Sequence, residues 1–224
     1  MIVSLSELTA CTLRVQANLD GYALPIKKLK GTEPVKSLDL SGKKLGVASA
    51  IVIASLISVN GSLTVTNLLG NWLDAESAKT LAEVAKRKGI SLCGIQRDQT
   101  TADFSNQNLE PRDAILLASD LLQAGVTGSL TSIDLSRNQL CALNWEGDGN
   151  YTTVGITAIA DALRVNGSLT SIDLSSNQLC GLNWKGKGKY TTVGITAIAD
   201  ALRVNGALTK MRYVLPRANL GPHI

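Results

Sequence analysis

Residues 181–188, GLNWKGKG, set two glycines five positions apart and follow the second with lysine. A phosphate-binding loop uses this spacing to offer backbone N–H groups and an ammonium to an anion. That chemistry also needs Ser or Thr after the lysine to hold Mg²⁺, and a helix that opens directly on the loop. Gly188 stands there instead, and helical periodicity resumes only after Thr192. The sister segment ALNWEGDG at 142–149 lacks both the first glycine and the lysine. Neither a nucleotide site nor any other cofactor is expected.

Other catalytic chemistry is equally short of parts. The single histidine is His223, so no Ser–His or Cys–His pair and no histidine-rich metal site is expected. The four cysteines, at 11, 93, 141 and 180, contain no C-x-x-C. The start, MIVSLSEL, shows no basic segment followed by a long apolar stretch. The cysteines therefore read as thiols in a reducing, intracellular compartment, and the cytoplasm is the simplest one. The longest apolar run, AIVIASLI at 50–57, is too short to span a bilayer, so no membrane insertion is expected. The expectation is a protein that is not an enzyme, with no catalytic residue and no metal.

Chemistry suited to binding is more visible. NWEGDGNY at 144–151 returns as NWKGKGKY at 183–190, and Trp145, Tyr151, Trp184 and Tyr190 make up half of the chain's eight aromatic residues. Such residues serve either as interface anchors or as pins that hold a long loop to its own scaffold, and both readings stay open. Lysines between aromatics suit nucleic acid, but a formal charge of +4 and an acidic sister loop argue against that partner.

These two segments belong to a larger duplication. Residues 130–168 align with 169–207, and only six of the thirty-nine pairs differ. Three are the charge changes Glu146/Lys185, Asp148/Lys187 and Asn150/Lys189. The others are Arg137/Ser176, Ala142/Gly181 and Ser168/Ala207. Weaker copies of the frame start at 8, 35, 63 and 99, and a decaying one starts at 208. A fixed internal period is the signature of a stacked repeat array, so the whole chain, 1–224, reads as one domain of about six to seven repeats.

Each copy has two halves. In LTSIDLS, Leu130, Ile133 and Leu135 end in the alternation of a short strand with one buried face. Ile156, Ile159, Ala160 and Leu163 then recur at i, i+3, i+4 and i+7, the stripe of a helix. The Asn-Gly pairs at 60, 166 and 205 mark helix ends, with the glycine expected to close them. Asp74 and Thr153 are placed as N-caps and Pro111 as a first-turn proline.

The pattern LxxLxLxxNxL followed by a helix resembles the leucine-rich repeats of the ribonuclease-inhibitor-like type. It is carried by Leu130, Ile133, Leu135, Asn138 and Leu140, and again by Leu169, Ile172, Leu174, Asn177 and Leu179. The stretch LCGIQRDQTTADFSNQNLEPRDAILLASDL is also similar to repeats in uncharacterised proteins of algae and other protists. The resemblance implies an α/β fold: a right-handed leucine-rich-repeat solenoid, or horseshoe, with parallel strands on the concave face and helices on the convex face. It also implies a protein-binding role. Lys43 and Gln107 stand where the family has its backbone-binding asparagine, so those two joints are expected to be looser.

Stacked in this way, the strands would present one outward column: Asp39, Asn67, Asp103, Asp134, Asp173 and Arg212. Adjacent carboxylates about 4.8 Å apart reinforce one another and favour a partner with a basic segment. A second reading of these aspartates is a solvated choice common to such repeats. Loops 141–153 and 180–192 would emerge side by side on one rim. Glu146 and Asp148 would then face Lys185, Lys187 and Lys189, and attract where uniform charges would repel. The expected function is a non-catalytic module that binds another protein through the concave column or the rim loops. The alternative is a structural subunit, or fragment of a larger assembly, held through its ends.

Overall fold

The computed structural model describes residues 18–213. The frame start at residue 8, Cys11, Val214, Pro216 and His223 lie outside them. In chain order the elements are β1 (Asn18–Leu19), β2 (Tyr22–Ala23), α1 (Ile26–Lys30), β3 (Ser37–Asp39), α2 (Val47–Val59), β4 (Val65–Asn67), α3 (Ala75–Lys88) and β5 (Thr101–Asp103). There follow α4 (Pro111–Leu121), α5 (Ala124–Thr127), β6 (Ser132–Asp134), α6 (Val154–Val165), β7 (Ser171–Asp173), α7 (Val193–Leu202) and β8 (Lys210–Arg212).

The fold is α/β. Strands β5, β6, β7 and β8 form a parallel sheet in sequence order, and β3 pairs in parallel with β4. A parallel pair needs a long crossover, and here each crossover carries a helix. In the three-residue strands β6 and β7 only the middle residue turns inward: Ile133 and Ile172 are buried between half-exposed Ser and Asp. Each long helix packs on the next one in the chain, α2 on α3, α3 on α4, α4 on α6 and α6 on α7. One hydrophobic core runs beneath them from Leu24 to Ala201. The repeated alanines Ala54, Ala85, Ala114 and Ala160 are buried, and their small size lets the helix backbones approach.

The outward column is not continuous. Asp39 registers with Asn67, and Asp103 with Asp134, Asp173 and Arg212. Between Asn67 and Asp103 the chain inserts another crossing. Val65 and Asn67 bridge to Ser91 and Cys93, and the Thr66 and Leu68 N–H groups donate to the Ser91 and Leu92 carbonyls. The long spacing from 63 to 99 holds these residues, which take the free edge of β4.

The asparagine of each frame reaches back to the preceding copy. Asn71 Oδ1 accepts from the Lys43 and Leu45 N–H groups and Asn138 Oδ1 from those of Gln107 and Leu109, each at 3.0 Å. The copies with Lys43 and Gln107 are thus clamped from the copy ahead. Gln107 cannot clamp the copy behind it, and Asp113 of α4 stands in, accepting from the Gly70 N–H at 2.8 Å. Two turns of helix further on in α4, Asp120 accepts from the Ser91 hydroxyl and the Leu92 and Cys93 N–H groups. The second joint is rebuilt by buried carboxylates.

The helix ends also differ from expectation. At Asn60-Gly61 and Asn166-Gly167 the glycines have no left-handed φ, and the asparagine does the closing. Asn60 Oδ1 accepts from the Ser62 and Leu63 N–H groups, while its amide donates to the Lys28 and Leu29 carbonyls of the preceding copy. Asn166 and Asn205 repeat the arrangement. Asp74 caps α3 by accepting from the Ser77 N–H at 2.7 Å, and Pro111 opens α4. Thr153 makes no side-chain cap: it is already helical in φ and ψ, and Thr152 Oγ1 accepts from the Val154 N–H instead.

Candidate functional site

Loops 144–151 and 183–190 are miniature hairpins. The Asn144 N–H donates to the Asp148 carbonyl, and Leu143 bridges to Gly149; Asn183 with Lys187, and Leu182 with Gly188, do the same. Inside each hairpin the asparagine side chain collects two N–H groups, those of Glu146 and Asp148 on Asn144 Oδ1 and those of Lys185 and Lys187 on Asn183 Oδ1. A Cβ at Gly149 or Gly188 would stand 2.1 Å from the carbonyl oxygen of residue 142 or 181, so only glycine fits. Gly181 and Gly186, the glycines that look like a phosphate cradle, hold left-handed φ of 74° and 78° beside and within the second hairpin.

The two hairpins stack. The Asn183 amide donates to the Glu146 carbonyl at 2.8 Å, and Lys187 Nζ meets Asp148 Oδ1 at 2.6 Å. That hydrogen bond and the Asp148 charge hold the Lys187 ammonium above its ordinary range. Glu146, Lys185 and Lys189 are exposed and make no ion pair among the described residues, and Lys185 Nζ lies over the Trp184 ring. The charge complementarity across the loops comes down to one pair.

The four loop aromatics divide. Tyr151 is half-buried, and its hydroxyl donates to the Leu179 carbonyl of the next copy at 2.8 Å, so it pins the loop. Trp145 and Trp184 are 65% and 64% exposed, and Tyr190 is also turned outward. A third tryptophan, Trp72, is exposed beneath Lys44; only its place two residues past Gly70 in the same frame hinted at it.

Trp145 and Trp184 line a groove of about 400 Å³ together with Leu182 and the turn residues Asn106, Asn108, Arg137, Gln139, Ser176 and Gln178. Asn106, Asn108, Arg137, Ser176 and Gln178 all have positive φ, between 51° and 58°. The earlier copies place Gly42 and Gly70 at the slot of Asn106, Arg137 and Ser176. Non-glycine residues bear strain in this conformation. None of these turn residues stands out in the sequence, where they look like linkers after each strand.

The aspartate column has a local structural task. Asp39, Asp103, Asp134 and Asp173 each accept through Oδ1 from the N–H two residues on, that of Ser41, Ser105, Ser136 or Ser175, and so close the turn after the strand. These hydrogen bonds hold the Asp39 and Asp103 carboxyls below their ordinary range. Asn67 does the same for Leu69. Arg212 Nη1 lies 3.6 Å from Asp173 Oδ2, so in this sheet Asp103 and Asp134 are the unpaired carboxylates of the column.

Cys93, Cys141 and Cys180 are buried free thiols, and burial pushes the Cys141 thiol up to about 12. Among the described residues no group of His, Cys, Asp and Glu could hold a metal ion, and no helix is long and apolar enough to cross a membrane. No protein-family model matches the sequence, and no curated protein does. Among solved structures the chain is similar to the actin-binding site 2 (ABS2) of leiomodin-1, at 16% identity and a TM-score of 0.37, over 85% of this chain and 78% of that one.

Proposed function

We propose that the chain is a leucine-rich-repeat-type solenoid and works as a non-catalytic module that binds another protein. In this reading the copies form one array, a right-handed horseshoe with its strands on the concave face and its helices on the convex one. The strand registers repeat at equivalent residues of successive copies, asparagines from Asn60 to Asn205 tie their copies to the ones before, Asp113 and Asp120 do so for the copy that starts at 99, and the helices pack in chain order. The buried free thiols fit a reducing, intracellular compartment.

One observation carries the functional reading. Trp145 and Trp184 are turned out to solvent by hairpins that are themselves stapled by hydrogen bonds and an ion pair. Large aromatics held rigidly outward are anchors for a partner, because burying them costs little further ordering. Affinity capture with the wild-type chain and with Trp145→Ala/Trp184→Ala side by side tests it. Proteins held by the first and lost from the second are expected; identical capture by both overturns the assignment of the binding surface.

A second reading rests on a different observation. Leu179, Ile195, Ile198, Ala199, Leu202, Met211 and Tyr213 line an open apolar recess on the last described copy. A structural subunit held by its end would cover this surface. In that case Tyr213→Asp, at an exposed residue of the recess, would disrupt the assembly and the tryptophan variants would not.

A further inference from the structure

Resting on the module reading, we infer that the groove between the tryptophan hairpins and the turns after β5, β6 and β7 binds an acidic peptide segment, with an apolar residue seated between Trp145 and Trp184. Three features of the groove specify this ligand. The first is charge. Arg137 makes no ion pair among the described residues, and with Lys187 paired to Asp148 the adjoining hairpins keep Lys185 and Lys189 against Glu146. A planar guanidinium at the groove wall suits a carboxylate, which it can grip with two parallel N–H donors. Arg137 is also one of the six positions at which the duplicate copies differ, and the other copy carries Ser176. Arg137 lines the groove, and its backbone holds a left-handed φ of 58°.

The second feature is an unmet acceptor. Gln178 Oε1 is buried at the groove wall without a hydrogen-bond partner. A buried acceptor in this state carries an uncompensated desolvation cost, and a turn of the half-exposed Gln178 side chain lets a ligand N–H relieve it. The third is a donor of fixed orientation. Gln139 Nε2 donates to Asn108 Oδ1 at 3.3 Å, which orients the Asn108 amide and leaves its NH₂ free for a carbonyl. An N–H donor, a carbonyl acceptor and a carboxylate within one short segment describe a peptide backbone with an Asp or Glu side chain. A groove of about 400 Å³ lies within the range of small-ligand sites, so it takes a few residues and not a whole domain face. A neutral oligosaccharide could stack on the tryptophans but would leave the guanidinium unanswered.

The test uses fluorescein-labelled, end-blocked hexapeptides that place Leu or Phe beside Glu, their Lys-for-Glu counterparts, and maltohexaose as competitor. Anisotropy titrations of the full chain should saturate with the Glu peptides at least tenfold tighter than with the Lys set. Arg137→Ser, which installs the residue already tolerated in the sister copy, should weaken the Glu peptides at least tenfold, as should Trp145→Ala. Equal affinity for Glu and Lys peptides, affinity unchanged by Arg137→Ser, or displacement by maltohexaose would overturn the assignment. If no peptide saturates while a protein partner is still captured through the tryptophans, the peptide assignment falls and the module reading stands.

Discussion

Asp148 and Lys187 are thirty-nine residues apart in the chain and 2.6 Å apart in space. They occupy the same slot of two nearly identical copies, so the charge reversal between the copies turns a like-charge clash into a bond. The neighbouring Asn183 amide, donating to the Glu146 carbonyl, fixes the stacking that brings them together.

Replacing Lys185, Lys187 and Lys189 together by Glu should loosen the hairpins from each other. Limited proteolysis should then cut between residues 144 and 190 several-fold faster, and adding Asp148→Lys should restore part of the protection. The effect should shrink in high salt, because the pair is exposed and screened. Cutting rates equal to wild type would mean that the backbone bonds alone hold the loops.

Asn60→Ala should cost about 2–3 kcal/mol, because one buried and one part-buried carbonyl and two N–H groups lose their partner. Gly61→Ala should be neutral within about 0.5 kcal/mol, since a Cβ there meets nothing and φ is not left-handed. Urea unfolding of the two variants decides which residue of the Asn-Gly pair closes the helix.

Asp134→Asn keeps an oxygen to accept from the Ser136 N–H and removes the charge, whereas Asp134→Ala removes both. The alanine variant should lose about 1 kcal/mol and the asparagine variant little. Any loss of partner binding in Asp134→Asn therefore reports on charge and not on folding. The paired Asp173 is a poorer site for this experiment, because Arg212 already lies beside it.

Asp120 sets a pH dependence. Burial pushes its carboxyl from an ordinary 3.8 up to about 6, against the opposing donors Leu92 N–H, Ser91 hydroxyl and Cys93 N–H. Between about pH 4 and pH 6 the folded chain holds a proton there that the unfolded chain has released. The contribution of this group is thus greatest below pH 4, falls as pH rises through 6, and is flat above 7, a change of up to about 3 kcal/mol. Urea midpoints of wild type and Asp120→Asn across this range should diverge with that sign, and a difference independent of pH would contradict the burial of the charge.

Much of the architecture was legible because burial alone writes it. A strand with one buried residue in three and a helix with a four-residue stripe leave periods in the sequence, and thirty-three identical pairs make the duplication plain. The side-by-side placement of loops 141–153 and 180–192 followed from the duplication, but that each closes as a hairpin and that the charges meet in the one pair Asp148–Lys187 did not. The buried carboxylates Asp113 and Asp120 were not legible either. Each bonds to backbone 43 and 28 residues away, at Gly70 and Leu92, and no local pattern separates such an aspartate from a solvated one on an exposed helix face.

The sequence by itself determined which residues recur and therefore which faces are oily. Tertiary structure decided what the polar residues do. It broke the aspartate column where residues 91–93 slip in beside β4, because a hydrogen-bonded edge goes to whichever backbone arrives with the right register. It also built the groove, which residues from left-handed turns in three copies line together with the tryptophans: φ is a property of each turn's closure, and only the folded chain brings those turns to the tryptophan hairpins.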